Sequence, residues 1–495
     1  MSTPNQETVY ISWKPDKHSD TSLYNQIVNY FSNKILRGDW VAGQKIPSQR
    51  KLSELFQVNR STIVEAMEEL YAMGLLEGHP GSGTKIAYDL WSSLITFSTP
   101  NWKNYINGGL FKANIDTIQC INQKEYEPSI LKLNSGEMAP ELLPNRMIKE
   151  ILTKIPQSSI SLSYPHPQGL LALRQTLCDY LQKKVIAVSP EEILITSGTL
   201  QALQLISVCI VPPRSIVYVE SPSYLKSLRI FQSAGARLEG VPMDKDGIMP
   251  WMINSQTQQH TPSILYSIPT FQNPTGIVMT EERRLELLKF CQSHRLPIVE
   301  DDVFSDLWLE SPPPEPLKAH DENGNVLYVG SCSKTFAPGL RVGWIIGPES
   351  VIKRLADIKM QHDYGTSSIS KIVLAESMRS NMYMDYLSWL RKKLIIRRNY
   401  MLSILDQHFS HLATWEKPRG SFFIYLRLKY NVPTDKIFKQ ALNENILICP
   451  GYIYDFYEKP SIRLSYAYAS FSQMEEALLK LSKIIAAYVD LTRPR

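Results

Sequence analysis

Six short runs of β-branched and aromatic residues recur between residues 193 and 346: Ile193 to Ile195, Ser215 to Glu220, Ser263 to Ile268, Pro297 to Glu300, Val326 to Val329 and Trp344 to Ile346. Helical stretches such as Glu281 to His294 separate them. Runs this apolar, alternating with helices, point to a sheet covered on both faces, and so to an α/β fold with a mainly parallel sheet. Sites in such sheets lie at the carboxyl ends of the strands. The residues just after each run are therefore the ones to read for chemistry.

After the first run, Thr196-Ser197-Gly198-Thr199 opens a helix. Its free N–H groups and positive dipole end suit a phosphate, although taken alone it reads better as an ordinary capped helix. After the second run comes Tyr224, either a ring that stacks on a planar ligand or a buried tyrosine. After the third, Asn273-Pro274-Thr275-Gly276 sets an amide beside a tight turn. After the fourth, Asp301-Asp302 supplies a carboxylate that either keeps a pyridine nitrogen protonated or caps a helix. The fifth leads into Ser331-Cys332-Ser333-Lys334, with Arg341 seven residues further on. An amine between hydroxyls, with a cation able to share an anion, is the surrounding that a pyridoxal phosphate Schiff base requires. Late in the chain, Arg463 either grips a carboxylate through a bidentate pair or makes a surface salt bridge.

The chain has 495 residues, enough for two or more domains. With 43% apolar and 20% charged residues it has the composition of a globular protein. No apolar run approaches the roughly 18 residues of a membrane span. The opening MSTPNQETVYISWKPDKHSD lacks the apolar core of a secretory signal. Cys120, Cys178, Cys209, Cys291, Cys332 and Cys449 are scattered without metal-ligand spacing, which reads as reduced thiols in a cytoplasmic protein with no metal site. A net charge of +5 excludes no partner.

The first ninety residues follow another rule. Leu23, Ile27, Phe31 and Ile35 recur at four-residue steps, giving one apolar helix face stopped by Gly38. Ser48 is placed to cap a second helix with Leu52, Leu55 and Phe56 turned inward. After the turn Gln57-Val58-Asn59, a third helix is expected from Arg60 to Met73, burying Ile63, Val64, Met67 and Leu70 and exposing Arg60, Ser61 and Thr62. Leu75 to Ile86 reads as a β-hairpin with a glycine-rich tip. Three helices and a hairpin in this order make a winged helix-turn-helix, whose third helix enters the DNA major groove. Residues 20–88 carry seven Lys/Arg and seven Asp/Glu, a balance that also fits a small helical interaction module. The placement favours DNA: Lys45, Arg50, Lys51, Arg60 and Lys85 fall on the expected binding side, and Glu65, Glu68, Glu69 and Glu77 do not.

Between the two parts, residues 88–132 show neither a helical nor a strand period, yet contain Trp91, Trp102, Tyr105 and Phe111. This fits a linker that docks partly on the second domain more than a flexible tether. The expected organisation is a winged helix-turn-helix over 20–87, a linker over 88–132, and an effector domain over 133–495 with a small subdomain from about 375.

The N-terminal segment resembles the GntR family of bacterial repressors. The match runs through Ile46-Pro47-Ser48 with Arg50, Asn59 to Ile63, Gly74-Leu75-Leu76 and Gly81 to Thr84. That resemblance implies DNA contacts from Arg50, Arg60, Ser61 and Thr62, and from a wing that includes Ser82 and Gly83. From about Leu133 onward the chain resembles fold-type I aminotransferases of the kynurenine/α-aminoadipate branch, with large and small domains. Tyr164 to Gly169 followed by Leu173-Arg174, and the late Pro450-Gly451, add to the match. The resemblance implies pyridoxal 5'-phosphate held covalently by Lys334, with Asp301 on its ring nitrogen, Asn273 at its ring hydroxyl and Tyr224 stacked on the ring. It further implies a phosphate cradle of Ser197, Gly198, Thr199, Ser331, Ser333 and Arg341, Tyr164 reaching the neighbouring subunit's phosphate, and Arg463 on an amino-acid carboxylate.

Two positions depart from the aminotransferase pattern. Phe304 stands where a tyrosine usually bonds the ring hydroxyl, and Ser421 replaces the second glycine of a Gly-Gly pair near the substrate. Both leave cofactor binding intact and count against efficient transamination. A GntR-type domain joined to an aminotransferase-like domain resembles the MocR family of regulators. That implies a head-to-tail homodimer binding operator DNA, with pyridoxal phosphate or an amino compound as effector. The other readings are a weakly active aminotransferase with a DNA-binding module, and a structural domain without cofactor.

Overall fold

The computed structural model describes residues 8–37, 39–41, 43–79, 83–87, 102–109, 111, 113–155, 163–227, 229–253, 261–454 and 460–492. They fall into two units, Met1–Leu110 and Phe111–Arg495.

In the first unit, α1 (Leu23–Leu36) buries Ile27, Phe31 and Ile35, the expected apolar face. Ser22 and Ser48 cap α1 and α2 (Gln49–Phe56), each accepting from a backbone N–H three residues on, and Leu52 and Phe56 of α2 are buried. Gln57 ends α2 in the left-handed region at φ 55°. α3 (Arg60–Ala72) buries Ile63, Ala66, Met67 and Leu70, while Val64, expected inside, is half-buried. β1 (Leu76–His79) and β2 (Gly83–Ile86) pair antiparallel as the hairpin. Tyr71 of α3 fastens it through a 2.6 Å hydrogen bond with Thr84. The core starts earlier than the expected residue 20. Val9 and Ile11 are buried in it, Val9 N–H donates to Lys45 at 2.9 Å, and Trp13 stacks on Tyr30 at 4.3 Å. An extended segment with three spaced apolar residues carries too little periodicity to be read as part of a helical domain.

Short helices also occupy the expected linker, at Trp102–Gly108 and Asp116–Lys124. The second lies in the C-terminal unit: Ile121 and Ile130 join that unit's core, and Thr117 and Tyr452 hydroxyls lie 2.8 Å apart. Helices of seven and nine residues span too few turns to show a repeat.

The second unit is built on an eight-stranded sheet of β4 (Ile193–Thr196), β5 (Ile216–Ser221), β6 (Arg237–Asp244), β7 (Gly247–Ile248), β8 (Ser263–Ser267), β9 (Ile298–Asp301), β10 (Val326–Ser331) and β11 (Gly343–Ile346), in the order β4-β11-β10-β9-β8-β5-β6-β7. β3 (Leu131–Lys132) lies outside it, paired parallel with β14 (Ile446–Leu447). Neighbours from β10 through β6 are parallel, whereas β11 runs antiparallel to both β10 and β4. All six expected runs are strands. β6 was missed because it is mostly half-exposed and polar. Alternate residues face opposite ways: Val217 and Val219 of β5 pack with the helix Thr199–Cys209, and Ile216 and Tyr218 with Glu281–Ser293. Both faces are thus covered, and the parallel strands bring Thr196, Ser221, Ser267, Asp301 and Ser331 to one edge.

The small domain carries a second sheet of β12 (Ala413–Thr414), β13 (Phe423–Leu428), β15 (Cys449–Pro450) and β16 (Ser461–Ser465), ordered β12-β13-β16-β15. The helices Met382–His408 and Phe471–Thr492 pack with it in the main core. Among the described residues no helix is long and apolar enough to cross a membrane, and no group of side chains is arranged to hold a metal ion. All six cysteines are free thiols.

Candidate functional site

β9 ends on Asp301, which is 3% exposed. Tyr266, from the adjacent strand β8, donates to its Oδ2 at 2.7 Å, and Oδ1 is buried with no partner among the described residues. Burial, reinforced by Asp302 and Glu220 against the Tyr266 bond and Lys334, pushes the Asp301 carboxyl up to about 7. Lys334, in the turn after β10, donates from Nζ to the Gly136 carbonyl at 2.6 Å. Burial, with Arg463 nearby, brings its ammonium down to about 8. An amine eased toward its neutral form and a buried acceptor awaiting a donor are what a protonated pyridine aldehyde requires.

The anion cradle is assembled at the amino end of the helix Thr199–Cys209. Gly198 precedes that helix at φ 89°, and a Cβ there would come within 2.8 Å of the Arg341 guanidinium. Arg341, itself left-handed at φ 54°, donates from Nη2 to the Ser197 carbonyl at 2.9 Å. Ser331 Oγ lies 3.0 Å from both Ser333 Oγ and the Val342 carbonyl and accepts from Ser333 N–H at 3.0 Å. The Ser197 hydroxyl donates to Asp363 at 3.3 Å, and Gln201 links Asp363 to Ser197 N–H through bonds of 3.0 and 2.7 Å. Asp363 escaped the sequence reading because it lies 166 residues from Ser197.

Arg463 on β16 meets Asn273 after β8. Its Nη1 donates to Asn273 Oδ1 at 2.9 Å, and its Nη2 donates to the Asn134 carbonyl at 2.8 Å. The guanidinium lies 3.9 Å over the Phe423 ring, and Nε is buried without a partner among the described residues. Tyr224 N–H donates to the Asn273 carbonyl at 3.0 Å, and burial, with Asp301 nearby, raises its hydroxyl pKa. Tyr164 is 81% exposed, with its ring 5.3 Å from that of Tyr364. Phe304 packs edge-on to Phe422 and Phe423, each at 5.8 Å. Ser421 occupies the left-handed region at φ 61°, where glycine is at ease, and its hydroxyl is buried without a partner among the described residues. The sequence reading therefore missed Tyr266, Asp363, Asn134 and Gly136. An approach to Asp301 from β8 was foreseeable only with the strand order in hand.

In the first unit Arg60, Ser61 and Thr62 of the expected DNA-facing residues open α3, while Arg50 lies on α2 and Gly83 on β2. Arg60 and Ser61 are exposed; Thr62, expected to be exposed, is half-buried against the helix core. Asn59 precedes α3 without a side-chain cap, so the first N–H groups of this helix stay open to a phosphate. Arg50 pairs with Glu54 at 3.3 Å, but both side chains are largely exposed, so the pair holds Arg50 weakly. Gly83 begins β2 at φ 80°; Gly38, Gly81 and Ser82 lie outside the described residues.

Residues 128–481 match the family Aminotransferase class I and II, and residues 23–86 match Bacterial regulatory proteins, gntR family. The chain is 46% identical to the uncharacterized HTH-type transcriptional regulator YisV of Bacillus subtilis over 94% of its own length and 96% of that protein's. It is 34% identical to the HTH-type transcriptional regulator NorG of Staphylococcus aureus over 88% and 98% of the two chains. Among solved structures, it is similar to kynurenine aminotransferase from Pyrococcus horikoshii, in complex with PMP. That similarity has a TM-score of 0.72 and 27% identity, covering 82% of this chain and 99% of that one. The α-aminoadipate aminotransferase LysN of Thermus thermophilus gives a TM-score of 0.71 at 26% identity, covering 79% and 100%.

Proposed function

Since the chain belongs to the aminotransferase class I and II family and joins that domain to a gntR-family one, the MocR-type architecture, we propose that it is a pyridoxal phosphate-dependent transcriptional regulator whose effector signal is gathered at Lys334. One observation carries the reading: a single chain holds both an uncapped, arginine-led helix start and a buried Asp301 oxygen left free for a ring N–H. Glycine at 198 lets the Arg341 guanidinium close in on the start of the helix Thr199–Cys209, where a phosphate would be held.

The donor set fits the cofactor. Lys334 supplies the amine for covalent attachment, Asp301 the acceptor for the ring nitrogen, and Asn273 and Tyr224 the groups beside the ring. Ser197, Gly198, Thr199, Ser331, Ser333 and Arg341 would hold the phosphate, joined by Tyr164 from a second subunit in a head-to-tail homodimer. When bound, the cofactor supplies an electron sink and an aldehyde that captures primary amines. The protein's part is to orient and select. Asp301 would hold a proton at the ring nitrogen, Lys334 would supply the amine that holds the cofactor, and Arg463, its Nε without a partner among the described residues, would bind the carboxylate of an amino compound. An amino-acid effector bound this way shifts the DNA-binding arrangement only through different affinity for two states of the dimer. Arg50, Arg60, Ser61 and the wing at Ser82 and Gly83 contact the operator.

The test is anisotropy of labelled DNA from upstream of the protein's own gene, with and without pyridoxal phosphate and a panel of amino acids. The regulator reading requires DNA binding that changes with cofactor or amino acid. A second reading, aminotransferase, rests on the intact Lys334, Asp301 and Arg463. It predicts sustained turnover of amino donors with 2-oxo acids at roughly 1 per second or faster. Phe304, enclosed among phenylalanines where a hydroxyl would face the cofactor, weighs against it.

A further inference from the structure

A buried polar network lies directly behind the cofactor site and is not used by it. Lys184 follows the helix Leu171–Gln182, with only 15% of its side chain exposed. Its Nζ donates to Ser305 Oγ at 2.6 Å and lies 3.2 Å from Asp306 Oδ1 and 3.4 Å from Asp302 Oδ2. Asp302 also accepts from Tyr328 of β10 at 2.6 Å and from Ser305 at 2.7 Å. Asp306 accepts from Tyr180 at 2.5 Å. The Tyr383 hydroxyl spans Asp306 at 3.1 Å and Thr335 Oγ1 at 2.9 Å.

The two ends of this network adjoin the two ends of the site. Asp302 follows Asp301, the last residue of β9, and the two carboxylates have separate partners: Tyr266 of β8 on Asp301, and Tyr328 of β10 with Ser305 on Asp302. Thr335 follows Lys334. Lys184 is thus the ammonium in contact with both carboxylates, Asp302 buried and Asp306 13% exposed; Arg391 donates to the Asp306 backbone carbonyl at 2.8 Å and its charge also acts on Asp306, as that of Arg284 acts on Asp302. We propose that Lys184 is a positioning residue for the cofactor: it neutralises the acidic turn after β9 and joins it, through Asp306 and Tyr383, to the Lys334 turn.

The electrostatics agree with the geometry. Burial disfavours the Lys184 ammonium, but Asp306, Tyr328 and Asp302 outweigh it and hold the charge firmly in place. Asp306 is kept ionised against burial by Lys184, Tyr180 and Tyr383. Asp301 is faced by Tyr266, Asp302, Glu220 and Lys334, and Asp302 is among the groups that raise it. Without Lys184, the less compensated charge on Asp302 and Asp306 would hold the Asp301 proton more tightly still and loosen its hold on a ring N–H. Such charge also makes every proton in the site leave at higher pH.

The inference rests on the cofactor reading, and the experiment separates the two. Full-length wild-type, Lys184→Met, Lys184→Arg and Tyr383→Phe proteins are loaded with pyridoxal phosphate. The visible band is titrated with pH, and cofactor affinity is measured by fluorescence. Lys184→Met is expected to move the titration up by roughly one unit and to weaken cofactor binding about tenfold, with Lys184→Arg restoring most of both. Tyr383→Phe keeps every charge but breaks the link to Thr335, and is expected to move the titration by less. It decides the matter if Lys184→Met does not fold. A folded Lys184→Met, or failing that Tyr383→Phe, with wild-type titration and affinity overturns the proposal. A wild-type protein that gives no cofactor band refutes the cofactor site itself, and this role of Lys184 with it.

Discussion

Arg50 and Asp301 each hold an ionisable group toward a proposed ligand, in opposite surroundings. The Arg50 side chain is 86% exposed, with one weak partner, Glu54. Asp301 is enclosed, bonded by Tyr266 on one oxygen and left open on the other. Around Arg50 and Arg60, water and salt screen the charges, so on the proposed reading affinity there would be set by the DNA phosphates and by ionic strength. Around Asp301 and Lys334 there is little screening, so burial and neighbours set proton affinities in advance. The first region is built to let go and rebind; the second is organised before its ligand arrives.

The largest expected effect is at Lys334. Lys334→Ala should abolish the visible absorbance of bound cofactor and the effector response while keeping measurable operator binding, read by absorbance and anisotropy on the same preparation. If the variant loses DNA binding outright, the two regions are not separable in function.

Next in size, Arg60→Ala and Arg50→Ala should each weaken operator binding by about 1–3 kcal/mol, roughly tenfold to hundredfold, with cofactor absorbance unchanged. A substitution that removes a phosphate contact should also lower the slope of log affinity against log salt by about one. Operator binding unchanged in both would remove this face from the DNA interface.

A pH test addresses the enclosed side. Burial pushes Glu300 and Asp301 each up to about 7, and raises Glu220 as well. In the unfolded chain these carboxyls release their protons near pH 4. Between those limits the folded apo-protein binds more protons than the unfolded chain, so stability falls as pH rises through the window. The fall is about 1.4 kcal/mol per unit per group at most. In Asp301→Asn the urea midpoint should decline less steeply between pH 5 and 7; an unchanged slope would show that Asp301 is not held protonated.

The smallest effect is at Ser421. Relieving its left-handed backbone and unpartnered hydroxyl, Ser421→Gly should stabilise the protein by about 1 kcal/mol, read as a raised urea midpoint. A lowered midpoint would mean that the hydroxyl makes a contact worth more than the strain.

Much of this was legible in the chain. The helices of the first unit were readable because Ile27, Phe31 and Ile35 repeat at the helical period, and Ser48 marks a start. Lys334, Asp301 and Asn273 were readable as candidates because each lies in the segment that follows an apolar strand run. The extended Val9 to Trp13 segment, the short helix Asp116–Lys124 and the half-exposed β6 carried too little apolar repeat to register. Nor could the chain reveal that Tyr266 holds Asp301, or that Lys184 stands against Asp302, 118 residues away.

By itself, then, the sequence determined the two modules, the strand runs and the chemistry waiting at their ends, because those depend on local period and residue type. Only the tertiary structure decided which groups face one another, through the order β4-β11-β10-β9-β8-β5-β6-β7. That order sets Tyr266 beside Asp301, and the packing of the small domain brings Arg463 of β16 to Asn273. Charge and burial act through space, so the proton affinities of Asp301 and Lys334 belong to the assembled site and not to the residues read in line.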